Sequence, residues 1–302
     1  MHVVVTGSHG LIGTALAAAL RARGDTVTAL VRSGSPRSER DIAWNPASGA
    51  IDLMALQARG PVDGIVNLAG AGIADRRWTA SRKAEIIASR VASTDLVVRV
   101  IDQLDQTPRV LVNASAIGIY GDRGAEVLTE KSAPGSGFLA DTCRQWERSA
   151  AAAPCRTVLL RTGIVLSRKG GTLGRLLPLV RAGVAGQFAS GTQYMSWITL
   201  DDEVSCILAL LDGAAAGLEG PVNATAPEPV TNAEFVKALG RAAHRPTFLR
   251  VPGPALKLVL GGELTGEAIL SSLRVVPAAL LDGTGFTFEH PTLDAAIASL
   301  LG

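Results

Sequence analysis

The stretch Val3-Val4-Val5-Thr6-Gly7-Ser8-His9-Gly10-Leu11-Ile12-Gly13 decides how this chain is read. An apolar β-branched run passes directly into glycines at 7, 10 and 13, and Leu11 to Arg23 then reads as a helix. The first glycine permits a tight turn off a strand. The second lets backbone approach a pyrophosphate, and the third lets the helix pack closely on the sheet. The helix start offers free N–H groups and a positive dipole end to phosphate oxygens. Gly24 stands where the helix stops, and Thr26 to Val31 reads as a second strand, so the glycines sit in a βαβ context that favours a dinucleotide over an ordinary turn.

The residue closing that second strand selects the dinucleotide. Chains that prefer NAD place an acid about 20 residues past the glycines, where it accepts the ribose 2′-hydroxyl protons. Arg32 stands there instead, followed by Ser33 and Gly34, and the nearest acids are Asp25 and Glu39. A carboxylate repels a 2′-phosphate, whereas a guanidinium forks onto it and stacks on adenine. The expected cofactor is therefore NADP(H); the alternative is that Arg32 is a solvated loop arginine.

At 302 residues and 47% hydrophobic content the chain can bury a substantial core. Its first strand begins at His2, which leaves no room for a signal peptide, and no apolar run approaches the roughly 18 residues of a spanning helix. The expectation is a cytoplasmic protein without membrane contact. A net charge of +2 argues against nucleic acid as a partner. The three cysteines, Cys143, Cys155 and Cys206, form no CxxC pair, and the four histidines are dispersed, so reduced thiols and no metal site are expected.

Strand-like and helix-like stretches alternate through the first half. Val62 to Asn67, Arg109 to Ser115 and Thr157 to Leu166 read as strands; Arg82 to Leu104 and Phe138 to Ala153 read as helices. This is the pattern of a doubly wound parallel sheet, a Rossmann α/β fold, over residues 1–167. After Ser167-Arg168-Lys169-Gly170-Gly171 the rhythm breaks into short pieces rich in glycine and proline. Residues 168–302 are expected to form a smaller mixed α/β substrate region, with a segment near 193–225 returning to the sheet.

Thr6-Gly7 with Gly10 and Gly13, Asn67-Leu68-Ala69-Gly70, Asn113-Ala114-Ser115-Ala116 and Tyr120-Gly121 together resemble the extended short-chain dehydrogenase/reductases. Within them, Trp44-Asn45-Pro46, Ser89-Arg90, Arg161-Thr162-Gly163-Ile164-Val165-Leu166, Ser196-Trp197-Ile198, Asn232-Ala233-Glu234-Phe235 and Gly285-Phe286 resemble the atypical, SDR39U1-like epimerase family from end to end. The resemblance implies that Gly7, Gly10, Leu11, Ile12 and Gly13 hold the pyrophosphate and that Val31, Arg32 and Ser33 hold the adenosine ribose phosphate. It also implies that Leu68, Ala69 and Gly70 lie against adenine and the inner ribose. Glu85 and Arg90 reach the cofactor from beneath, or else pair with each other on an exposed helix face. Arg161 marks the strand end nearest the nicotinamide.

Ordinary members of that superfamily use a Ser/Thr with a Tyr-xxx-Lys pair, the lysine lowering the tyrosine pKa for proton exchange. Ser115 fits the serine position. Aligned on Cys143-xx-Trp146-Glu147, however, Leu139 falls where tyrosine belongs and Cys143 where lysine belongs. Tyr120 is a second catalytic candidate, with a packing role as its alternative. Cys143 reads as a buried inert thiol. Asp201, at the next helix start, reads as an N-cap, and Thr199 stands where the family usually has histidine.

Two functions follow from the resemblance. One is an NADP(H)-dependent oxidoreductase or nucleotide-sugar epimerase-like enzyme, with Ser115 orienting the carbonyl of a small-molecule substrate. The other is a non-catalytic NADP(H)-sensing protein linked to cell division and acting through a protein partner.

Overall fold

The structure, a computed structural model, describes residues 1–32 and 41–301. Ser33, expected beside the ribose phosphate, lies outside the described residues with Gly34 and Glu39. Val3, Val4 and Val5 are fully buried in β1 (His2–Thr6), and alternate side chains serve different cores: Val3 and Val5 face one, Val4 the other. A strand buried on both faces needs cover on both faces. Each such side chain contributes about 1.5–3 kcal/mol.

The chain continues through α1 (Leu11–Ala22), β2 (Thr26–Arg32), β3 (Ile42–Asn45), β4 (Ala50–Ile51) and α2 (Leu53–Gln57). Next come β5 (Gly64–Asn67), α3 (Ala80–Gln103), β6 (Val110–Ala116), β7 (Val127–Leu128), α4 (Phe138–Ala150) and β8 (Arg156–Thr162). The second half holds β9 (Ile164–Ser167), α5 (Gly171–Arg181), β10 (Gly186–Phe188), β11 (Tyr194–Met195), β12 (Trp197–Thr199), α6 (Leu200–Asp212) and β13 (Gly220–Ala224). It ends with β14 (Val230–Thr231), α7 (Asn232–Ala242), β15 (Leu249–Val251), α8 (Gly253–Leu260), α9 (Gly262–Leu264), β16 (Arg274–Val275), α10 (Ala278–Leu281) and α11 (Leu293–Leu301).

Eight strands form one sheet in the order β13-β8-β6-β5-β1-β2-β3-β4, parallel except for β4, which runs antiparallel to β3. α1 and α6 cover one face through Leu16, Leu20, Val204 and Ile207. α3 covers the other through Leu96, Val97, Val100 and Ile101, with α4 beside it. A further core gathers Leu173 and Leu177 of α5, Phe235 and Leu239 of α7, and Leu293 and Ile297 of α11 around Trp197. Among the described residues no helix is long and apolar enough to cross a membrane.

The sequence boundaries need four corrections. β3 and β4 are additional strands, too short to show periodicity; they close through a turn in which Asn45 Oδ1 accepts from Ala47 N, 3.1 Å away, and Gly49 adopts φ 70°. The strand expected over Thr157 to Leu166 is two. At Gly163 the backbone changes partner: Gly163 N donates to Ala224 O of β13, and Ile164 N donates to Ser196 O, so β9 leaves the large sheet to pair with β12. A Cβ at Gly163 would lie 2.8 Å from Ser196 O, so a glycine is required at that crossing. α4 ends at Ala150 and not Ala153, with Pro154 disfavouring helix in the residue before it. Finally, Thr199, not Asp201, caps α6: its Oγ1 accepts from Asp202 N at 3.0 Å and donates to Asp202 Oδ2 at 2.8 Å, while Asp201 is exposed within the helix.

Candidate functional site

The glycine loop lies at the carboxyl end of β1, the edge at which open α/β sheets bind ligands. Gly7 has φ +65°, and a Cβ there would meet Leu68 O at 2.6 Å; a Cβ on Gly13 would meet Gly7 O at 2.3 Å. A Cβ on Gly10 would lie 3.2 Å from Gly7 O, a much milder contact. Among the described residues no side chain caps the start of α1 at Gly10, and no acid stands in its first turn, so that positive helix end has no counter-charge there. Leu11 and Ile12 form that first turn.

Thr6 joins this loop to the next. Its Oγ1 donates to Asn67 Oδ1 at 2.6 Å and accepts from Leu68 N and Ala69 N at 3.1 Å each, fixing Leu68-Ala69-Gly70 beside the glycines. Asn67 Nδ2 donates to Asn113 Oδ1 and Thr94 Oγ1, and Trp146 Nε1 donates to Thr94 Oγ1. A buried polar ladder therefore ties β1, β5 and β6 to α3 and α4. Sequence reading missed Thr94 and Trp146 as its rungs; polar residues on an otherwise apolar helix face were the available signal.

Val31 is buried and Arg32 is exposed at the end of β2. Arg90 packs beneath Gly70, where a Cβ would lie 3.3 Å from its Cγ and Cζ; its Nη1 donates to Ala71 O and Ile86 O, and its guanidinium lies 5.0 Å from the Trp146 ring centroid. The alternative pairing of Glu85 with Arg90 is not formed. Glu85 is bound to Arg82 at 2.7 Å, because three residues along a helix bring side chains onto one face and five do not.

Deeper in the sheet, Ser115 and Arg161 meet Glu147, a residue to which sequence reading assigned no role. Ser115 Oγ donates to Glu147 Oε1 at 2.7 Å; Arg161 Nε and Nη2 donate to the two carboxylate oxygens at 2.8 and 2.9 Å. Arg161 Nη1 donates to Tyr120 Oη, which in turn donates to Asn223 Oδ1. Burial opposes the Arg161 charge, but the hydrogen bonds and field of Glu147 outweigh it and hold the guanidinium above its ordinary pKa. Burial raises the Tyr120 phenol against the pull of Arg161. Burial, reinforced by the Glu147 charge, pushes the Cys143 thiol up to about 11; the Sγ lies 3.7 Å from Ala116 O.

Beyond β6 two cavities open, of about 470 Å³ and about 140 Å³, and both are lined by Asp122. The inner one has Gly118 and Gly121 from the turn after β6, Leu139 from α4, and Glu267 from the C-terminal half. Glu267 Oε1 accepts from Phe138 N at 2.9 Å and Oε2 from Leu139 N at 2.8 Å, so its carboxylate caps α4.

A profile of the NAD dependent epimerase/dehydratase family matches residues 3–224, and a domain of unknown function matches residues 251–300. The Mycobacterium bovis epimerase family protein Mb2239 is 44% identical over 298 residues, 98% of this chain and 96% of the relative. The crystal structure of human epimerase family protein SDR39U1 with NADPH matches at TM-score 0.90 and 32% identity, over 100% of this chain and 99% of that one. A Corynebacterium glutamicum structure described as a nucleoside-diphosphate sugar epimerase matches at TM-score 0.80 and 34% identity, over 100% of this chain and 58% of that one.

Proposed function

We propose that this chain, which belongs to the NAD dependent epimerase/dehydratase family, is a cytoplasmic NADP(H)-dependent oxidoreductase acting on a small carbonyl or alcohol compound. In this reading residues 1–167 hold the dinucleotide and residues 168–302 wall the substrate. The observation that carries it is the glycine loop, packed so closely that a Cβ at Gly7 or Gly13 would strike backbone, which sets the start of α1 beside a strand closed by an exposed arginine. The NADPH in the human relative's structure supports the phosphorylated form of the cofactor.

The amides at the start of α1 bind the pyrophosphate, and Arg32 forks onto the 2′-phosphate. Leu68, Ala69 and Gly70 form the floor for adenine and the inner ribose, with Arg90 bracing that floor. The bound nicotinamide supplies a hydride or accepts one. Ser115 gives its one hydroxyl proton to Glu147, which Arg161 fixes, so its Oγ accepts from the hydroxyl of an alcohol substrate, and donating to a carbonyl requires the proton to leave Glu147. Tyr120 is fully buried with its hydroxyl bonded on both sides; we assign it to joining β8 and β13, not to proton transfer. Leu139 and Cys143 stand in for the usual tyrosine and lysine, an apolar wall and a protonated thiol.

That substitution also supports the second reading, an NADP(H)-sensing protein linked to cell division that acts through a protein partner. One experiment separates the two. The protein is purified without added cofactor, its nucleotide is identified by mass spectrometry, and NADPH oxidation is followed against a panel of carbonyl compounds. Carried-over NADP(H) with turnover supports the oxidoreductase; tight binding without turnover supports the sensor; NAD or no nucleotide affinity contradicts both.

A further inference from the structure

The charged side chains lining the two cavities are Asp122 and Glu267, both carboxylates; the remaining lining residues are neutral, with hydroxyls or amides from Ser136, Ser190, Thr192 and Gln193. Glu267 is fixed in place. Its two oxygens take the free N–H groups of Phe138 and Leu139, so the positive end of α4 is already neutralised from within the chain. The segment that carries it is tethered across the cleft: Lys83 Nζ meets Glu263 at 2.8 Å, and Arg77 Nε donates to Val259 O at 2.9 Å. Two of the nearby cations are paired with acids, and the third stands behind a tyrosine of the larger cavity's wall. Arg123 is paired with Glu126 and Arg144 with Asp141, while Arg274 lies over the Tyr194 ring at 4.9 Å.

A phosphate or carboxylate entering the inner cavity therefore meets a carboxylate where many α/β sites offer an open helix end. We propose that these two cavities, which share Asp122 in their walls, take an uncharged carbonyl or alcohol compound and turn away phosphorylated or carboxylated ones, nucleoside diphosphate sugars included, with Glu267 as the specificity-determining residue. The position of the inner cavity supports this: it borders Leu139 and the turn that follows Ser115 and β6. The proposal rests on the oxidoreductase reading above.

The test uses the full chain saturated with NADP⁺, in which an aldehyde cannot be reduced, and ligand-observed NMR with 4-nitrobenzaldehyde, 4-carboxybenzaldehyde and UDP-glucose as probes. Cofactor titration comes first, so failure to bind NADP⁺ overturns the underlying reading and is seen separately. With cofactor bound, the neutral aldehyde should bind about tenfold more tightly than its carboxylate partner, the effect of one unfavourable charge at close range in a partly shielded site. Glu267→Gln should narrow that ratio to about threefold or less without changing NADP⁺ affinity. Asp122→Asn should narrow it in the same direction and serves if Glu267→Gln fails to fold. Equal binding of the two aldehydes by the unmodified protein overturns the proposal, as does an unchanged ratio in the folded variants. UDP-glucose binding that disappears in Arg274→Ala, or binding of none of the probes, also overturns it.

Discussion

Ser115 and Arg161, register partners on β6 and β8, converge on a single oxygen: Ser115 Oγ lies 2.7 Å and Arg161 Nε 2.8 Å from Glu147 Oε1. The serine hydroxyl is thereby given a fixed direction, and the arginine is given a counter-charge in a place where water supplies little. Both ionic side chains are almost wholly buried.

Glu147→Gln leaves the shape nearly intact and removes the counter-charge. Breaking one half of a buried pair typically costs about 3–5 kcal/mol. Urea unfolding should show a loss of that order, and a loss below about 1 kcal/mol would show that Arg161 finds other compensation.

The glycine loop makes two separable predictions. Gly10→Val should fold, since its Cβ contact of 3.2 Å is relieved by a small shift, yet lose NADPH binding as the added methyls fill the pyrophosphate space. Gly13→Val should be destabilised outright, because its Cβ would lie 2.3 Å from Gly7 O. Circular dichroism with tryptophan-fluorescence titration reads both; an unchanged binding curve for Gly10→Val would reject the phosphate-loop assignment.

Glu203 is fully buried on α6. Its Oε1 accepts from Thr162 Oγ1 at 2.8 Å while Oε2 has no partner among the described residues, and burial raises its pKa from 4.5 to about 8. The folded protein therefore holds a proton that the unfolded chain releases. Stability from this group is complete below pH 4.5 and is lost as pH rises toward about 8, by up to about 1.4 kcal/mol per unit. Glu203→Gln should flatten that decline. Parallel slopes for variant and parent in urea midpoints between pH 5 and 8 would contradict it.

Returning the usual pair through Cys143→Lys should fail. The thiol is buried, so an ammonium there would be desolvated; Glu147 would attract it, but that carboxylate is already bound by Arg161, and Arg90 would repel it. A lower melting temperature for Cys143→Lys is expected, with Leu139→Tyr far milder because residue 139 borders a cavity. A Cys143→Lys protein as stable as its parent would show that position 143 tolerates charge.

The parallel sheet was legible because Val3-Val4-Val5, Gly7-Gly10-Gly13 and the later apolar runs are local signals with fixed periods. β3 and β4 were not, being too short to repeat. The split at Gly163 was hidden because a change of hydrogen-bond partner leaves no mark in hydrophobicity. Among the site residues, Thr6, Ser115 and Arg161 stand at strand ends where motifs point. Glu147 and Glu267 come from distant segments and acquire their roles only through contacts the fold creates. Asp201 was misread because Thr199 sits at the end of a strand, where capping by its hydroxyl is invisible until the helix start is known.

In the proposed function Arg32 selects the phosphorylated dinucleotide, and paired titrations with NADPH and NADH test this most directly. NADPH should bind about tenfold or more tighter than NADH, with most of the preference lost in Arg32→Ala, since a charge-assisted contact contributes about 1.5–3 kcal/mol. Equal affinities in the unmodified protein, or a preference that survives Arg32→Ala intact, would contradict it.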